Sequence, residues 1–93
     1  AGSSKLGERV TLAGQAGVKD HVQVGANTVI ATNSVVTKDT PEGVFYSGFP
    51  AHDHREELRE QAARRKLPQV LKQVQKLEKE VNKLKKEVNK KSK

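Results

Sequence analysis

The stretch LGERVTLAGQAGVKDHVQVGANTVIATNSVVT, Leu6 to Thr37, decides the fold. Every sixth residue from its start is aliphatic: Leu6, Leu12, Val18, Val24, Ile30 and Val36. With 33% of the chain hydrophobic, such a run would arise by chance in roughly one chain in a hundred, so the period is informative. The residues four further on, Val10, Ala16, Val22, Thr28, Ser34 and Thr40, are small or β-branched throughout. Those directly after the aliphatics are mostly small: Gly7, Ala13, Lys19, Gly25, Ala31 and Thr37. Six is not a multiple of 3.6, and recurrent Gly and β-branched residues weigh against a helix. Short strands bent at regular corners fit better, with the aliphatic side chain inward and small residues permitting each corner. Stacked coils would then pair backbone to backbone at about 4.8 Å. The competing reading is a meander of ordinary hairpins, with Ala26 and Asn27, and Thr32 and Asn33, as turns.

The totals agree with a repeat that is stabilised by stacking or by assembly. Ninety-three residues with no Cys, Met or Trp make a marginal core, and no disulfide can compensate. An oligomer is therefore expected. No run of about 18 apolar residues exists, so no membrane span is expected, and residues 1–5 read as a tag or linker remnant. Cytoplasmic localisation is the default. The net charge of +7 is unevenly placed: residues 1–51 balance four basic against four acidic side chains, so residues 52–93 carry all of it.

After Val36 the period breaks, and Pro41 and Gly43 signal a turn. All three aromatic residues, Phe45, Tyr46 and Phe49, fall within five positions. They can cover the end of the stacked coils as a solenoid cap does. The other reading makes Tyr46, Ser47 and Gly48 the lining of a groove for an acyl or pantetheine chain. His52 and His54, two apart with no Cys and no third fixed ligand, are a poor zinc set, and neither a metal nor a cofactor is expected. Asp53 has the plainer role of helix N-cap, with Glu56 three residues later completing a capping box.

The segments GQAGVKDHVQVGAN (14–27) and VTKDTPEGVFYSGFPA (36–51), followed by a basic helical tail, resemble the UDP-3-O-acylglucosamine N-acyltransferases of lipid A biosynthesis, over roughly residues 5–80. These are hexapeptide-repeat acyltransferases, which move a 3-hydroxyacyl chain from acyl carrier protein to a glucosamine nitrogen. The resemblance implies a left-handed parallel β-helix with three hexads per coil, hence about two coils in residues 6–41, a closing loop at 42–52, and a trimer. It also implies that His21, preceded by Asp20 where the family usually has Gly, matches the second histidine of the family pattern, auxiliary near the reacting carbonyl. The family's general-base histidine and uridine-binding domain have no counterpart in these 93 residues, so this chain is expected not to catalyse by itself.

The second half reads as helix. Residues 53–66 are mostly strong helix formers, and Pro68 is expected to interrupt them or to open a second helix over 68–90, about 35 Å long. Val70, Val74, Leu77, Val81, Leu84 and Val88 are spaced 4, 3, 4, 3, 4, the a/d seam of a coiled coil, with Glu80 and Glu87 at g and Glu78 and Lys85 at e. Val at a with Leu at d mildly favours two strands, whereas the family resemblance implies three. Arg55, Arg59, Arg64, Arg65 and Lys66 form a basic surface that the resemblance assigns to docking acyl carrier protein; a solvated helix face is the plainer reading. Nucleic acid is not expected, since no aromatic residue lies among these charges to stack on bases. The overall expectation is a mixed β and α chain: a short β-helix followed by a trimeric coiled coil, serving trimerisation and acyl-carrier docking. The alternative is a purely structural or engineered trimerisation scaffold without a native ligand.

Overall fold

The computed structural model describes residues 3–91, so Ala1 and Gly2 of the expected remnant lie outside the described residues. Six two-residue strands recur every six positions: β1 (Lys5–Leu6), β2 (Thr11–Leu12), β3 (Gly17–Val18), β4 (Gln23–Val24), β5 (Val29–Ile30) and β6 (Val35–Val36). Each pairs in parallel with the strand three further on: β1 with β4, β2 with β5, β3 with β6. Leu6 lies beside Val24, Leu12 beside Ile30 and Val18 beside Val36, an offset of eighteen residues each time. Parallel pairing at this offset excludes the hairpin meander. Lys5, inside the expected remnant, is already a strand residue paired with Gln23.

Three consecutive hexads therefore bring the chain back over itself, and the bonds run from one level to the next. Lys5 N–H donates to the Val22 carbonyl at 3.0 Å, Thr11 to Thr28 at 2.9 Å and Gly17 to Ser34 at 2.8 Å. The corners follow the same period. Arg9, Gln15, His21, Asn27 and Asn33, six apart, all adopt left-handed backbone with φ between 55° and 66°. Ala26–Asn27 and Thr32–Asn33 are indeed turns, but corners of the coil rather than hairpin tips. Asn tolerates this conformation best among non-glycine residues; elsewhere it costs roughly 1–2 kcal/mol per residue. The stacking recovers part of this cost, because Asn27 N–H bonds the Glu8 carbonyl at 2.8 Å and the Arg9 guanidinium donates to the Asn27 side chain at 2.8 Å.

Smallness after each aliphatic has a direct cause at Gly7 and Gly25. A Cβ on Gly7 would lie 2.6 Å from the Ala26 nitrogen, and one on Gly25 would run into the Pro41 carbonyl. The core is Val22, Val24, Ile30 and Val36, with Val10, Ala16, Val18, Tyr46 and Ala51 packed against it. The expectation that all six periodic aliphatics point into a core holds only for the second level. Leu6 and Leu12 are 49% and 39% exposed, because β1 and β2 are edge strands with a neighbour on one side alone. Hydroxyls inside the coil are tied to backbone: Thr28 donates to the Pro41 carbonyl, and Thr40 accepts from Gly25 N–H while donating to Pro41. Burial without such partners would cost about 1–3 kcal/mol each.

The segment 42–52, expected as a closing loop, is largely strand. β7 (Phe45–Gly48) continues the stack in parallel on β5, and β8 (Ala51–Asp53) returns antiparallel to it. The turn between them contains Gly48 at φ 99° and a cis Phe49–Pro50 bond. Helix α1 follows, His54–Lys91. Asp53 caps it, accepting the Glu56 N–H at 3.2 Å. The break expected at Pro68 does not occur, so 53–66 and 68–90 are not separate helices. Strong helix formers on both sides carry the helix across a residue that cannot donate to the Arg64 carbonyl. Contacts divide the chain into Ala1–Glu60 and Gln61–Lys93. Among the described residues, no helix is long and apolar enough to cross a membrane.

Candidate functional site

Chemistry-bearing side chains of the first unit gather where the β7–β8 hairpin meets the first turns of α1. The hairpin register sets Ser47 opposite His52 and Gly48 opposite Ala51. Gly48 has no Cβ, and Glu57 fills the space; a methyl group there would lie 2.6 Å from the Glu57 carboxylate. Glu57 is accordingly 8% exposed, the one buried charged residue in the helix. Its Oε1 lies 2.9 Å from His52 Nε2. Glu60, one helical turn further, brings Oε2 to 3.5 Å from the same nitrogen, and Glu56 Oε2 is 3.6 Å from His52 Nδ1. Glu56 thus turns toward His52, and the expected capping box is realised through the Asp53 half.

Three carboxylates around one imidazole favour its protonated form. The hydrogen bond with Glu57 is the main cause, aided by Glu60 and Glu56 and opposed by partial burial, and together they hold the His52 pKa above its ordinary 6.5. His52, Glu57 and Glu60 also present one ligand atom each within 4.8 Å of one another, a grouping that exposed acidic side chains often make without an ion. His54 takes no part in it. Its Nδ1 is 2.9 Å from the buried Ser47 hydroxyl, and its ring stacks on Phe45 with centroids 4.2 Å apart and planes 14° from parallel. The two histidines weighed together as a metal pair therefore serve different partners.

The expected groove residues are placed as follows. Tyr46 is half-buried against the core, Ser47 is buried with its hydroxyl on His54, and Gly48 N–H donates to the Ser34 hydroxyl at 2.9 Å. Their polar groups are thus engaged within the chain. Of the three aromatics expected as a cap, Tyr46 alone packs against the core; Phe45 and Phe49 are 46% and 76% exposed. His21 stands exposed at a left-handed corner between β3 and β4. Arg55 and Arg59, four apart in the first unit, are exposed, as are Arg64, Arg65 and Lys66 in the second. The seam residues Val70, Val74, Leu77, Val81, Leu84 and Val88 are all between 42% and 64% exposed. Sequence reasoning missed Glu57 and Glu60; their three-residue spacing on a helix was the available signal.

No protein-family model matches the chain. It is similar to the UDP-3-O-acylglucosamine N-acyltransferase of Caulobacter sp. (strain K31), 40% identical over 62 residues that make 67% of this chain and 18% of the relative. UDP-3-O-acylglucosamine N-acyltransferase 1 of Gloeobacter violaceus is 51% identical over 43 residues, 46% of this chain and 12% of that protein. A probable mitochondrial UDP-3-O-acylglucosamine N-acyltransferase 2 of Arabidopsis thaliana is 39% identical over 61 residues, 62% of this chain and 20% of that one. The chain thus spans at most about a fifth of the length of these curated relatives. Over that span it is homologous to the C-terminal portion of the UDP-3-O-acylglucosamine N-acyltransferases.

Proposed function

We propose that this chain serves as the trimerisation and acyl-carrier-docking part of an acyl-carrier-protein-dependent UDP-3-O-acylglucosamine N-acyltransferase. The strands are read as a left-handed parallel β-helix and α1 as one strand of a trimeric coiled coil. The observation that carries the reading is parallel pairing at an offset of eighteen, in a sequence homologous to these enzymes. A stack with edge strands and exposed Leu6 and Leu12 has apolar surface left to cover, and so has the helix seam. Homo-oligomers with closed symmetry cover like surfaces with like. His21 is assigned an auxiliary catalytic role at most, and no cofactor is assigned. Docking of an acidic acyl carrier protein falls to Arg55, Arg59, Arg64, Arg65 and Lys66, and the acyl chain to Tyr46, Ser47 and Gly48.

Sedimentation equilibrium tests the assembly: a mass near three times the 10.2 kDa chain supports it, whereas twice or once that mass rejects the trimer. Titration with acyl carrier protein tests docking. Binding that weakens at higher salt and is lost on Arg55→Glu with Arg59→Glu supports it. A second reading, a structural trimerisation scaffold without native ligand, is favoured by the internal engagement of the Ser47 and Gly48 polar groups. A stable trimer that binds no acyl carrier protein would select this second reading.

A further inference from the structure

The exposed seam of the second unit carries more information than its apolar stripe. Val74, Val81 and Val88 occupy a positions and Val70, Leu77 and Leu84 occupy d, along an uninterrupted helix. Shallow apolar grooves lie between these side chains; one is lined by Val81, Leu84, Lys85, Val88 and Asn89. The residues flanking the stripe decide what can lie in them. Three acidic residues, Glu78, Glu80 and Glu87, occur in residues 61–93, and all three flank the seam. Lysines fill the outer positions, among them Lys72, Lys76, Lys79, Lys83, Lys86 and Lys90.

We infer that the seam takes further copies of this chain lying parallel and in register, selected by the pairing of Glu80 with Lys85 of the partner subunit. The inference rests on the assembly reading above and adds direction and register to it. In parallel coiled coils a g residue faces the e residue five positions later on the neighbour. Glu80 at g and Lys85 at e satisfy that spacing, and Gln73 with Glu78 is the neutral pair before it. Repeated around a closed ring, the ion pair forms once at every helix–helix contact.

An antiparallel partner meets the opposite electrostatics. The alignment that keeps the whole seam covered sets Val74 beside Leu84 and Leu77 beside Val81. In that arrangement e faces e and g faces g, so Glu78 meets its own counterpart and so does Glu80. Lys85 faces the apolar Leu71, and no opposite charges meet at all. Like charges directly opposed are destabilising, so the flanking residues favour one direction and penalise the other. Leu71 itself sits at e, exposed at 59%, and widens the apolar face at the start of the seam. A face wider than a and d alone suits more than one neighbour.

The absence of cysteine allows a direct test in the full chain. A single Val88→Cys variant is oxidised and run on a non-reducing gel, while its reduced form is sedimented. Parallel helices in register place the two thiols together, and a covalent dimer forms readily. Antiparallel helices place residue 88 beside residue 70, about 27 Å from its counterpart along the axis. Reduced protein that assembles but gives no cross-link, and that cross-links when Val70→Cys and Val88→Cys chains are mixed, overturns the parallel inference and leaves the assembly reading intact. Reduced protein that is monomeric, with the parent also monomeric, overturns both. Charge exchange provides a second readout that does not touch the seam. Glu80→Lys should lower the dissociation midpoint, and adding Lys85→Glu should restore it. Failure of the second change to rescue the first would refute the Glu80–Lys85 register.

Discussion

Gly25→Ala is the most demanding test of the stacked-coil geometry, because it adds one methyl group where two levels of backbone cross. The new Cβ would overlap the Pro41 carbonyl and lie 2.5 Å from its carbon and 2.6 Å from the Glu42 nitrogen. Those atoms are backbone, held by Thr28 and Thr40 through their hydroxyls, so no flexible side chain can swing away. Relief requires the levels to part by most of an ångström. Overpacking of this kind costs about 1–3 kcal/mol, and distortion of the Gly25 N–H bond to Thr40 adds about 1 kcal/mol, for a total of about 2–4 kcal/mol. Tyr46, the one tyrosine in a chain without tryptophan, packs against the core and reports this unit by fluorescence during urea unfolding. At about 4–8 °C per kcal/mol for a domain of this size, the thermal midpoint should fall by 10 °C or more. Gly14→Ala is the control, since a Cβ there meets nothing within 4 Å. It should be neutral or gain up to about 1 kcal/mol through the unfolded chain. Equal losses at both positions, or a Gly25→Ala variant within about 0.5 kcal/mol of the parent, would refute the close approach of the levels.

The pH dependence has a definite sign. The His52 pKa is raised in the folded chain, so the stability contributed by its carboxylate partners is fully present below the ordinary 6.5 and is lost as pH rises through the raised value. The Tyr46-reported urea midpoint of the parent should therefore fall between about pH 6 and about pH 8.5, and the fall should flatten in His52→Gln. At the His21 corner, Asn should leave the unfolding midpoint within about 0.5 kcal/mol of the parent, whereas Val should lose about 1–2 kcal/mol to the left-handed backbone. Pro68→Ala restores a backbone donor in the helix interior and should stabilise α1 by up to about 3 kcal/mol, read as a later loss of helical circular dichroism. Ser47→Ala removes the buried hydroxyl beside His54 and should cost about 1–2 kcal/mol in chemical denaturation, with the His54 ring resonances shifting in the same variant.

The period of six was legible because each level repeats the same demand: an aliphatic inward and little bulk beside the next strand. Gly7 and Gly25 stood out for that reason, and the atoms they approach are now identified. The left-handed corners were half legible. Asn27 and Asn33 suggested turns, whereas Arg9, Gln15 and His21 adopt the same backbone only because the neighbouring level imposes it. Pro68 misled in the opposite direction, since a local rule for helix ends was overridden by the strength of the flanking helix formers. The hairpin at Phe45–Asp53 and the cluster around His52 were hidden for a related reason. His52 lies on a strand while Glu57 and Glu60 lie on a helix, so no single sequence period brings them together.

The eighteen-residue ladder has a consequence for how this sequence can change in length. Every strand bond in the coil joins positions one whole circuit apart, so insertions and deletions act in quanta. Removing eighteen consecutive residues would let the remaining strands meet partners in the same phase, at the loss of one level. A cut of six would keep inward side chains inward but move every later hexad to a different side, separating Gly25 from the Pro41 backbone it accommodates. A cut of one would turn the aliphatic series outward from that point on. The protein itself makes one such off-quantum step: Val29 pairs with Phe45, sixteen residues away, and there the repeat gives way to the hairpin. A two-residue shortfall thus acts as the stop signal of the repeat, written in length rather than in residue type.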